Sequence, residues 1–252
     1  MTTAAFERAV SPGVARSSRW WWERGILIGG LLIATLLAWR QLAHMHAQMH
    51  AGASFPLLLV LWSVMTIGMM LPAASPMIMT FAAINRRNGG SAILRTLLFT
   101  AAYLCVWSIA SAGGALAQAG LGAISIREQA GAMASPVFLA GALLVAGIWQ
   151  LTPVKHACLR RCRTPLGFLL TEWRSGARGA LVMGARHGTD CLLCCWALMV
   201  VMLGLGTMNL AVMAVLTAIM VAEKIAPGGH HIGRASALVL LASGGWQLLR
   251  LT

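Results

Sequence analysis

Apolar residues run along this chain in seven long blocks, separated by short polar or basic gaps. The blocks lie at about 25–42, 55–83, 93–116, 132–152, 190–207, 209–226 and 235–251. Each approaches the roughly 20 apolar residues that a helix needs to cross about 30 Å of hydrocarbon. Backbone polar groups must pair internally in lipid, so such blocks fold as helices. The pattern predicts an all-α, polytopic membrane bundle of about seven transmembrane helices. Met208-Asn209 alone separates the fifth and sixth blocks, so these form either a hairpin of two full spans or a re-entrant pair. The long gap 153–189 mixes Leu166, Phe168, Leu169, Leu170 and Trp173 with Arg174 and Arg178, as an interfacial helix does. Residues 1–24 read as a cytoplasmic tail and 25–252 as a single transmembrane domain. Trp20, Trp21 and Trp22 stand before the first block, where aromatic rings favour the headgroup layer. That block is long for a signal-peptide core and no small-x-small cleavage site follows, so it reads as an uncleaved helix.

Composition agrees with this picture. Of 252 residues, 59% are hydrophobic and only 10% charged, and the mean hydropathy is +0.78. A soluble domain carries about a quarter of its residues as charged groups. A soluble globular enzyme is therefore excluded, and so is a disordered chain. The net charge of +13 first suggests nucleic acid, but its placement suggests a bilayer. Arg8, Arg16, Arg19 and Arg24, then Arg86, Arg87 and Arg95, then the seven basic residues of 153–189, then Lys224 and Arg234 fall on one side of a seven-span bundle. The other side receives Arg40, Arg127 and Arg250. Lys and Arg stay cytoplasmic in short loops, which places the N-terminus inside and the C-terminus outside. The partner is the lipid bilayer, with no nucleic acid.

Against that topology the soft ligands fall into order. The outer loop after the first block reads His44-Met45-His46-Ala47-Gln48-Met49-His50. Imidazole with thioether selects copper ahead of zinc, and disfavours oxygen-seeking Mg and Ca. The alternative is a polar loop with no site. In the fifth block Cys191, Cys195, Met199 and Met202 share one helix face, with Cys194 at its edge. The alternative there is ordinary apolar packing. The second block carries Met65, Met69, Met70, Met77 and Met79 around Pro72 and Pro76. Each proline deprives a carbonyl, that of Gly68 and that of Pro72, of its helical donor. A kinked, methionine-lined helix suits a soft-ion path, and core filling explains it equally well. In the 153–189 gap, Cys158 and Cys162 stand four apart near His156, and His187 precedes Cys191 by four. Arg160, Arg161 and Arg163 favour thiolates there. Cys105 reads as packing. Asp190 and a Glu223/Lys224 pair at inner helix ends read either as functional or as anchors.

A long and specific run ties these residues together. It comprises Cys158-Leu-Arg-Arg-Cys162-Arg-Thr-Pro165-Leu166, then Trp173-Arg174-x-Gly176-x-x-Gly179-Ala180-x-x-Met183-Gly184-x-x-His187-Gly188, then Cys191-x-x-Cys194-Cys195-Trp196-x-Leu198-Met199, and continues through Met208-Asn209-Leu210-x-x-Met213 to Glu223-Lys224. With Met69-Met70-Leu71-Pro72 and Pro76-Met77 upstream, it resembles the bacterial predicted metal-binding integral membrane proteins, a family of unknown function sometimes labelled copper chaperone. The resemblance spans roughly residues 55–230. It implies that Cys158, Cys162, His187, Cys191, Cys194, Cys195 and Met69/Met70 belong to a shared motif in a multi-pass protein of the bacterial inner (cytoplasmic) membrane. The His44–His50 run lies outside that motif.

The resulting expectation is an inner-membrane protein that binds copper, as Cu(I), and moves or delivers it through a Cys/Met/His series, exchanging it with a periplasmic or cytoplasmic donor or acceptor protein. The alternatives are an electron-transfer subunit, a thiol redox protein, and an anchor or assembly subunit docking through 153–189. Haem wants histidines within spans, whereas all seven here fall at edges or in loops. No serine–histidine–acid set, phosphate loop or paired catalytic carboxylates are present, so no enzyme is expected.

Overall fold

The computed structural model describes residues 18–48, 54–87, 92–128, 135–205 and 209–251. These form nine helices: α1 Ser18–Gln48, α2 Phe55–Arg87, α3 Ala92–Glu128, α4 Pro136–Leu151, α5 Pro153–Arg163, α6 Pro165–Glu172, α7 Gly176–Leu205, α8 Leu210–Ile225 and α9 Gly229–Leu249. There is no strand among the described residues.

The interior is built on α2 and α7. Of their most apolar stretches 61% is buried, against 22% for α3 and 11% for α1. Helix α7 packs against α3, α4 and α5, while α2 packs against α1 and α3, and α9 closes over α4 and α8. Close approach depends on small residues, because lipid gives helices no hydrophobic reason to associate. A methyl group at Gly184 of α7 would stand 2.1 Å from the Phe99 carbonyl oxygen of α3, and one at Gly114 of α3 would stand 2.5 Å from the Trp62 ring of α2. Helix α1 is the least buried of the span-length helices, with Ile26, Leu32, Ile33, Leu36 and Leu37 all exposed, as a lipid-facing surface requires.

The number of crossings differs from the seven expected. Among the described residues four helices are long and apolar enough to cross a membrane: Trp21–Met45, Phe55–Arg86, Ala92–Leu121 and Gly176–Leu205. A fifth exists if α4 and α5, bent by 66° at their junction, count as one broken span. The reasons are local. Helices α4 and α8 have 16 residues each, about 24 Å at 1.5 Å per residue, short of the hydrocarbon thickness. Helix α9 opens on Gly-His-His and carries Arg234 and Gln247, which dilute its apolar run. Helix α7 starts at Gly176, not near 190, and so absorbs Arg178 and Arg186 from the supposed loop. The assignment of basic residues to inside and outside rested on seven crossings, and its parity does not follow from four or five.

The 153–189 gap holds two short helices, α5 and α6, ahead of the first turns of α7. Their boundaries are set by Thr-Pro pairs. Thr152 Oγ1 accepts from Lys155 N at 3.2 Å, with Pro153 as the first helical residue; Pro165 likewise opens α6 after Thr164, whose side chain makes no cap hydrogen bond. Proline costs nothing at that position, where its missing N–H would be unpaired anyway.

In α2 both prolines lie inside a continuous helix. The carbonyls they free are satisfied. Gly68 O accepts from Trp39 Nε1 of α1 at 3.1 Å, and Pro72 O accepts from Ser75 Oγ at 2.8 Å. Cys105, expected to pack, is exposed on α3.

Candidate metal-handling site

The site is built around Cys191 of α7, which is 1% exposed. Lys224 of α8 donates to its Sγ at 3.0 Å, and the Tyr103 hydroxyl of α3 lies 3.2 Å from the same sulfur. Tyr103 also reaches the Met70 carbonyl oxygen of α2 at 3.1 Å. The hydroxyl has one proton for two neighbours, so it can donate to the carbonyl while accepting from a Cys191 thiol, or turn to a Cys191 thiolate.

Around this centre the motif residues gather. The Cys162 thiol of α5 interacts with those of Cys191 and Cys194. Cys195 Sγ stands 3.9 Å from Met70 Sδ, a thiol–thioether pair. Cys194 and Cys195 both donate to the Cys191 carbonyl, at 3.1 and 2.8 Å. Cys158 is also buried. All six cysteines are free. Among the described residues no three His, Cys, Asp or Glu side chains already stand together as a metal-binding group. The thiols are instead held on carbonyls, on Lys224 and on one another.

His187 lies one turn before Cys191 on α7 and is 2% exposed, so it sits within a helix and not in a loop. Its ring stacks on Tyr103 at 5.4 Å and on Phe99 at 6.0 Å, with Phe168 of α6 edge-on at 5.7 Å. Neither ring nitrogen has a hydrogen-bond partner. Buried polar groups are almost always paired, so this unpartnered imidazole one turn from Cys191 is a candidate ligand.

Other expected residues fall elsewhere. Met65 and Met69 are fully buried in α2, and Met202 in α7. Met199 lines a separate cavity of about 210 Å³ with Trp62, Trp107 and Trp196. The His44–His50 run is not a single ligand loop. Helix α1 extends through it to Gln48, so adjacent side chains point apart: Met45 packs in the core at 5% exposure while His44 is exposed. His46 is also helical, and Met49 and His50 lie outside the described residues.

Sequence reasoning missed one partner of Cys191. Tyr103, the chain's single tyrosine, sits mid-helix in an apolar run, which was the available signal. Glu223 and Lys224, read from the sequence as either functional or anchoring, are both buried and take different partners. Lys224 turns to Cys191, whereas Glu223 binds Lys155 of α5 at 2.6 Å, Gln150 Nε2 of α4 at 2.9 Å and, more weakly, Ser236 of α9 at 3.4 Å. Asp190 pairs with Arg161 at 3.5 Å.

Fold and site together define an all-helical protein with span-length apolar helices enclosing a thiol, thioether and imidazole cluster. The chain belongs to the PpoB2 family, described as copper chaperone, which it matches over residues 59–247. That match runs from α2 into α9, contains every residue of the cluster and leaves out the His44–His50 run. No curated protein and no solved structure matches the chain.

Proposed function

We propose that the protein binds Cu(I) within the bacterial cytoplasmic membrane and hands it to or takes it from a soluble partner, without catalysing a reaction. The observation that carries this reading is the Cys191 cluster: thiols of Cys162, Cys191, Cys194 and Cys195, the Met70 thioether and the unpartnered His187 ring, drawn from α2, α5 and α7. Thiolate and thioether select Cu(I) over the harder divalent ions. The family's description as copper chaperone supports the same cargo.

The cluster suggests how an ion is accommodated. A buried thiolate without a counter-charge is costly. The Lys224 ammonium supplies that charge while the site is without copper. An arriving Cu(I) supplies it in turn, so the sulfur stays paired with a positive charge throughout. Tyr103 steadies the same sulfur from the opposite helix.

The test is anaerobic Cu(I) titration of the detergent-purified protein against a chromophoric chelator. Wild type is expected to compete for Cu(I) and to bind it more tightly than Zn(II). Cys191→Ser is expected to lose most of the affinity. His187→Phe is expected to keep the fold, since no hydrogen bond is lost, while weakening Cu(I) binding. If Cys191→Ser and a Cys162→Ser/Cys194→Ser/Cys195→Ser triple variant, both folded, bind Cu(I) as wild type does, the reading is wrong.

A further inference from the structure

A second feature lies on the other side of α5 from the cysteines. A cavity of about 480 Å³ is lined by Pro153, His156, Leu159, Arg160 and Arg163 of α5 and by His230 of α9. Four of the six carry basic groups and none is acidic. The nearby carboxylates are engaged elsewhere, Glu223 with Lys155 and Asp190 with Arg161.

The cavity is built, not a chance meeting of surface arginines. Arg163 is fixed by two carbonyls at the end of α8, donating to Glu223 O at 3.1 Å and Ala226 O at 2.8 Å. Gly229 makes room for it, since a methyl group there would stand 2.2 Å from the Arg163 guanidinium. The His230 and His231 rings lie 3.9 Å apart. The charge of His231, then partial desolvation, then Arg234, Arg163 and His156, push the His230 imidazole below its ordinary pKa. The charged groups that act on His230 are all cationic.

Imidazoles alone would suit a transition metal. Guanidiniums do not bind cations, and their planar fork matches phosphate oxygens. Leu151 and Val154, close to Pro153 in the chain, and Ile225, next to Ala226, are exposed apolar side chains on which acyl chains can lie. Basic pockets between helices at the membrane surface bind phosphate headgroups in this way.

We propose that the α5–α9 cavity binds a phosphate group, carried by an anionic phospholipid or free in solution. The assignment is independent of the copper reading. It is tested on the full-length protein in two arms. In the first, the protein is held in nanodiscs of phosphatidylcholine with or without phosphatidylglycerol, and retained lipid is read by native mass spectrometry. In the second, inorganic phosphate is titrated into the protein in detergent and followed by phosphorus NMR.

Wild type is expected to retain phosphatidylglycerol or to bind phosphate. Retention of the lipid alone identifies a headgroup site, and binding of phosphate alone identifies a soluble ligand. Arg160→Gln and His230→Gln are each expected to weaken that binding about tenfold, the loss of one charge-assisted hydrogen bond. Cu(I) affinity is expected to stay unchanged in both. Both substitutions are at exposed positions, so folding is preserved, unlike at Arg163. Equal binding by wild type and both variants overturns the proposal. So does a cavity that takes Zn(II) through His156 and His230 while binding neither phosphate source.

Discussion

Lys155→Met tests whether the buried polar network positions the cysteines. Lys155 is 1% exposed and lies one turn before Cys158 on α5. Its ammonium meets Glu223 at 2.6 Å, next in sequence to the Lys224 that contacts Cys191. This pair therefore sets how α5, with Cys162, sits against α8. Removing one partner of a buried ion pair costs about 3–5 kcal/mol, because the other charge is left uncompensated. Glu223 would still receive Gln150 Nε2 at 2.9 Å, which places Lys155→Met near the lower figure, about 3 kcal/mol. Glu223→Gln strands an ammonium whose one anionic acceptor is gone, and belongs near about 5 kcal/mol. For a chain of this size, about 3 kcal/mol lowers Tm by roughly 6–12 °C. The double variant leaves no charge and is expected to recover most of the loss. The assay is thermal unfolding in one detergent, followed with a dye that fluoresces on reacting with newly exposed thiols. If both single variants unfold within about 2 °C of wild type, a shift well below the cost of a stranded charge, the network does not hold the helices. A double variant worse than either single would also refute the charge-pairing account.

Two further outcomes follow from packing. Trp39→Phe leaves the Gly68 carbonyl, deprived of its helical donor by Pro72, without its 3.1 Å indole partner. It is expected to cost about 1–3 kcal/mol in unfolding, and Pro72→Ala, which restores the helical donor, should remove most of that cost. Gly184→Ala forces a methyl group to 2.1 Å from a backbone oxygen of α3, so its loss of thermal stability should exceed the roughly 1–3 kcal/mol of ordinary overpacking. Gly29→Ala on α1, with nothing within 4 Å, is the control and should be neutral or mildly stabilising.

The apolar blocks and the shared face of Cys191, Cys195, Met199 and Met202 were legible because hydropathy and the helical repeat are local properties. All four side chains are buried. The crossing number was only partly legible. Counting apolar residues took α4, α8 and α9 as full spans. The Thr152-Pro153 and Thr164-Pro165 pairs, which end one helix and start the next, were present in the sequence as a signal of the breaks.

By itself, then, the sequence determined an all-helical, lipid-compatible chain and the residues that make up its motif. Tertiary structure decided which of those residues meet. Tyr103 reaches Cys191 across 88 residues and Met70 reaches Cys195 across 125. It also sent Glu223 and Lys224, neighbours in the chain, to different partners, and turned Met45 inward while leaving His44 outside. Periodicity assigns a side chain to a face of its own helix. Only the packing of one helix on another, set here by glycines such as Gly184, determines what that face touches.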